Sequence, residues 1–133
     1  MYFAAMNHSL TINSSSESVQ AVADKLETIL RSKNIRVFAR IDHAEAARAQ
    51  GLELQDEQVL IFGDPKVGTS LMQECPAVGI ELPLKIVVWR GEQTFIGYRD
   101  PKLLLEEYEI VAHRGIVEKM SMLMANLVAE LIK

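Results

Sequence analysis

The 133-residue chain holds one cysteine, one tryptophan and 6% aromatic residues, and each scarcity removes a class of protein. A lone Cys75 cannot close an internal disulfide, so no disulfide framework holds the fold, and a reducing, cytoplasmic setting is expected. The opening MYFAAM is too short and too poor in basic flanks for a secretory signal. No apolar run approaches the roughly 18 residues of a membrane span, so no membrane partner is expected. The 14 Lys and Arg are scattered among 18 Asp and Glu, for a net charge of −4. Without a basic stripe to neutralise phosphates, nucleic acid is not an expected partner. The histidines His8, His43 and His113 and the thiol of Cys75 stand apart, with no pair at H-x-x-x-H or C-x-x-C spacing, so neither metal nor cofactor is expected.

What is present is an ordinary globular balance, 49% hydrophobic against 24% charged. No repeat, linker or low-complexity tract divides the chain, so residues 1–133 read as one domain. An opening strand is expected between about Tyr2 and Ile12. Ser14 and Glu17 have the spacing of a capping box, and Val19, Val22, Ala23, Leu26, Ile29 and Leu30 recur at helical intervals behind it. "NIRVFARID" alternates as a strand does. Asp42 and Glu45 repeat the capping spacing ahead of a short helix that Gly51 ends. "QVLIF" is a buried strand by its length, and Asp64–Pro65 form the cap and first residue of a third helix. "LKIVVWRGEQTFIGYRD" reads as a hairpin turning near Gly91, Pro101 opens a short helical stretch, and a long apolar-faced helix runs from about Gly115 to Ile132.

"LIFGDPKVGTS" has nearly the frame of a phosphate-binding loop: Gly63, four residues, Gly68, then a hydroxyl at Ser70. Thr69 stands where the lysine belongs and Pro65 removes a backbone donor, so nucleotide chemistry is not expected. A weaker reading keeps a small anion at this helix start, held by its N–H groups with Lys66, Thr69 and Ser70.

The run "FARIDHAEAARAQGLEL", then "LIFGDPKVGTSLMQECPAVGIELPLKIVVW" and "YRDP", resembles the family called domain of unknown function 302. The resemblance implies an α+β fold, a two-layer sandwich in β-α-β-β-β-β-α order like the TATA-binding-protein-like fold. The sheet is then antiparallel or mixed, of four to five strands, with helices on one face. It also implies a homodimer, and it brings no established activity. The tail beyond Tyr108 is longer than the ending associated with that family.

Candidate site residues are Arg40 and His43 at a strand end, Lys66, Thr69 and Ser70 at the third helix start, and Trp89 and Tyr98 on opposite arms of the hairpin. Together they suggest a dimeric binding domain for a small, anionic molecule, without catalysis. Two alternatives stand beside it: an enzyme using Cys75 or His43, and a protein-interaction module working through the C-terminal helix. Met120, Met122 and Met124 do not make a copper site, because alternate residues diverge by about 200° around a helix.

Overall fold

A computed structural model describes residues 9–133. The opening strand, β1, spans Leu10–Ser15, and the part of that expectation before Ser9 lies outside the described residues. Strands β2 (Arg36–Asp42), β3 (Glu57–Gly63), β4 (Leu84–Arg90) and β5 (Thr94–Arg99) follow. They form one sheet in the order β1-β5-β4-β3-β2, and every neighbouring pair is antiparallel. Alternation decides which face each side chain takes: Leu60, Phe62, Ile86, Val88, Ile96 and Tyr98 point to the buried face.

Helix α1 (Val19–Ser32) lays Val19, Val22, Ala23, Leu26 and Leu30 on that face. Its cap is Ser18, whose hydroxyl accepts from Ala21 N at 3.1 Å, and not Ser14. Ser14 is still in β1, paired with Phe95, because the strand runs on through Ser15. At the far end Asn34 takes φ 58°, with Ile35 N donating to Leu30 O and Asn34 N to Arg31 O. That is a Schellman ending in which asparagine replaces the usual glycine. Helix α2 (His43–Ala49) is capped by Asp42 as expected, and Gly51 at φ 74° ends it in the same way.

Asp64 caps α3 (Pro65–Glu74), and a short 3₁₀ helix over Pro76–Ile80 leads to β4. After β5 a 3₁₀ turn (Pro101–Leu103) and α4 (Leu104–Glu107) precede the long α5 (Arg114–Leu131). The apolar stripe of α5 serves two cores in succession. Met124, Leu127, Val128 and Leu131 join α1 and the sheet, while Val117 and Met120 join Leu71, Val78, Leu104 and Ile110. Met122 is 64% exposed between two buried methionines, as the helical angle requires.

Candidate functional site

The two cores leave a groove between them. Helices α3 and α5 both contribute to the second core and border an opening beside the start of β2. The resulting cavity is about 490 Å³. Val67, Gly68 and Met72 of α3 form one wall, and Ile116, Met120 and Leu123 of α5 the other. Ile35 and Phe38 at the start of β2, with Leu82, Pro83 and Leu84, complete it. Gly68 keeps the α3 wall low, since a Cβ there would stand 3.7 Å from Leu82 Cδ1 and project into the space.

Three polar side chains reach this groove: Asp64, Thr69 and Lys119. Asp64 is spent on its helix, its carboxylate accepting from Lys66 N at 2.9 Å. Thr69 donates to Pro65 O at 2.6 Å. Lys119 lies on the stripe of Ile116, Met120 and Leu123, one turn from each end, and this exposed residue is the one cationic residue among those lining the groove. It was missed in the sequence because the surrounding helix reads as an ordinary apolar face. A lysine with apolar neighbours at i−3, i+1 and i+4 is the signal that would have found it.

The residues expected to form a site are not gathered in one place. Arg40 sits on the inner face of β2, where its guanidinium donates to Gln58 Oε1 at 2.8 Å and pairs with Asp24 and Glu27 of α1. His43 opens α2 at the far end of β2 from the groove and is exposed. Lys66 and Ser70 are at the start of α3 but outside the groove lining, and the Ser70 hydroxyl donates to Lys66 O. Trp89 and Tyr98 fall on opposite faces of the sheet: Trp89 pairs with Phe95, and Tyr98 lies three residues further along that strand, in the core. They therefore line no common pocket.

The start of α3 also answers the phosphate-loop question. Pro65 has no N–H, Asp64 Oδ1 holds that of Lys66, and Asp64 O accepts from Val67 and Gly68. A carboxylate and a carbonyl occupy the donors that a phosphate would need.

Two polar clusters escaped sequence reasoning because their members are far apart along the chain. Glu81 accepts from the Tyr108 hydroxyl at 2.9 Å and from Arg99 at 3.1 Å, and Arg99 also grips Glu107. The hydrogen bond to Glu81 pushes the Tyr108 phenol above its ordinary value. Glu74 accepts from three consecutive backbone N–H groups ahead of α5 and meets His113 Nδ1 at 2.7 Å. Cys75, beside it, is half-buried and packs in the second core. Among the described residues, no cluster of three or more His, Cys, Asp or Glu has the geometry to hold a metal ion.

The family model described as domain of unknown function DUF302 matches residues 10–131. The chain belongs to the DUF302 family. The match takes in α5, so the long tail is part of the DUF302 domain in this chain. The crystal structure of an uncharacterized conserved DUF302 protein from Bacillus stearothermophilus has the same fold. Its TM-score is 0.81 at 20% identity, over 94% of this chain and 98% of that one. Among curated proteins, the fluoride-specific ion channel FluC 1 of Brucella suis is 31% identical over 99 residues, which is 71% of this chain and 39% of that protein. FluC 2 of Brucella melitensis is likewise 31% identical over 99 residues, 37% of its length. The DUF302 chain thus matches well under half the length of these relatives, and the channel activity in their names is theirs. Among the described residues no helix is long and apolar enough to cross a membrane.

Proposed function

We propose that this DUF302 protein is a binding domain for a small molecule with an apolar body and an anionic end, which it holds without transforming. The observation that carries this reading is the groove of about 490 Å³, walled mostly by apolar side chains, with the exposed Lys119 as the one cationic residue of its lining. Its size is that of a site for a drug-sized ligand, and mostly apolar walls with a single orienting charge are the common composition of such sites. The anionic character expected from the sequence is kept, but its cation becomes Lys119 in place of Arg40 or Lys66.

The absence of catalysis rests on the lining. No histidine, cysteine or tyrosine of the described residues borders the groove, and Asp64 and Thr69 are engaged in holding α3 together. A reaction there would lack a free general acid, base or nucleophile apart from Lys119.

Anilinonaphthalene sulfonate, an apolar ring system with one fixed negative charge, is a suitable probe for fluorescence titration. Lys119→Glu is expected to weaken its binding about tenfold, through loss of one charge pair and gain of a repulsion. Gly68→Phe should abolish binding by filling the groove. Unchanged affinity in both variants would end this reading. Native mass spectrometry of the purified protein would then be examined for cargo bound elsewhere.

A further inference from the structure

A second cation stands beside the groove. Strand β2 shifts register against β3 between Val37 and Ala39, a bulge that takes Phe38 out of the pairing. The Phe38 ring lines the groove and is 42% exposed. The guanidinium carbon of Arg36 lies 4.9 Å from the centre of that ring, and Arg36 pairs across the sheet with Gly63, another residue of the lining. Arg31, Arg40, Arg48 and Arg99 each meet a carboxylate, whereas among the described residues none pairs with Arg36. The ring restrains the guanidinium, and its planar set of N–H donors is left for another acceptor.

We infer that Arg36 receives the anionic end of the groove's ligand, and that this ligand is an aliphatic monocarboxylate whose hydrocarbon chain lies between α3 and α5. The inference rests on the groove being a binding site, as proposed above. The end group follows from the fork: a guanidinium can meet both oxygens of a carboxylate at once, which a lysine ammonium cannot do with the same fixed geometry. Lys119 then adds attraction, and Arg36 adds orientation. The chain follows from the walls. Phe38 is the only aromatic residue of the described lining and is already in contact with Arg36, so a flat ring system gains little there beyond the area it buries. A sugar or a base would bring many hydrogen-bonding atoms to a lining whose Asp64 and Thr69 are engaged with the backbone of α3. A hydrocarbon chain asks for neither, and the flexible side chains of Met72 and Met120 can follow its shape.

Isothermal titration calorimetry of the full chain with hexanoate, octanoate and decanoate tests this. Affinity is expected to rise about fourfold with each added methylene. Octanol carries the chain of octanoate without its charge. Arg36→Met should weaken octanoate about tenfold and leave octanol unchanged, because methionine can still cover Phe38 but offers no donors. A residue that only shaped the groove would affect the two ligands alike, so equal losses, or no loss, would overturn the role of Arg36. Arg36→Lys keeps the charge without the fork, and native octanoate affinity in that variant would overturn it too. If the carboxylates fail to bind a protein that still takes up anilinonaphthalene sulfonate, the monocarboxylate is wrong and the groove reading stands. Failure of both probes would end the two together.

Discussion

Glu74, the last residue of α3, holds the chain entering α5 through one carboxylate. Its Oε2 accepts from Val111 N at 2.6 Å and Ala112 N at 2.9 Å, and its Oε1 from His113 N at 3.1 Å. Three backbone donors converging on one acceptor group favour the charged form, and they hold the carboxyl down at about 2 against an ordinary 4.5. The side chain of His113 adds to the effect. Because the folded value is lower than the unfolded one, the stabilisation is complete above pH 4.5 and is lost as pH falls toward 2. Glu74→Gln should therefore lower the thermal midpoint at neutral pH and flatten its decline in that acid window. Melting curves of both proteins as a function of pH measure this.

Arg40 presents a comparison of magnitudes. Its pair with Asp24 is with a carboxylate 58% exposed, where an ion pair contributes little. Its bond to Gln58 is different, because Gln58 is 4% exposed and loses a donor that water cannot readily replace. Arg40→Ala is expected to cost about 1–3 kcal/mol, and Asp24→Ala under about 0.5 kcal/mol. Urea unfolding midpoints of the two variants distinguish these contributions.

Gly68 lies inside α3 with ordinary helical backbone, and a Cβ there would meet Leu82 Cδ1 at 3.7 Å, a normal contact. Gly68→Ala should stabilise the protein by about 0.5–1 kcal/mol, since glycine in a helix loses more freedom on folding than alanine does. Chemical denaturation is again the measurement. A loss of stability would mean that this wall of the groove is tighter than its geometry indicates.

Gly97 behaves in the opposite way. A Cβ would approach Trp89 Cζ3 to 2.9 Å and Cη2 to 3.2 Å, so the indole must move. Gly97→Ala is expected to destabilise by about 1–3 kcal/mol, the usual range for overpacking. As Trp89 is the chain's one tryptophan, its emission should shift as well.

Where information lies close together in the chain, the sequence was readable. The stripe of α1, the caps at Asp42 and Asp64, and the period-two strands all express interactions within a few residues, and each appears where its local chemistry puts it. The cap of α1 is instructive: a run of serines offers several hydroxyls, and the length of β1, set by its pairing with β5, decides that Ser18 is the one used. Trp89 and Tyr98 show the same dependence. Both arms of the hairpin were legible, but the pairing of Trp89 with Phe95 determines that the two aromatic rings face apart.

The amino-acid order by itself determined the elements, the wholly local caps and the membership of the DUF302 family, because propensity, periodicity and motif spacing act over short stretches of chain. Tertiary structure decided the rest. It brought Lys119 to a groove with Val67 and Phe38, Glu74 to the start of α5, and Ile12 into one row with Ile41. Such juxtapositions depend on how helices settle on a sheet and how five strands align. Packing and register are properties of the whole chain, and no single segment carries them.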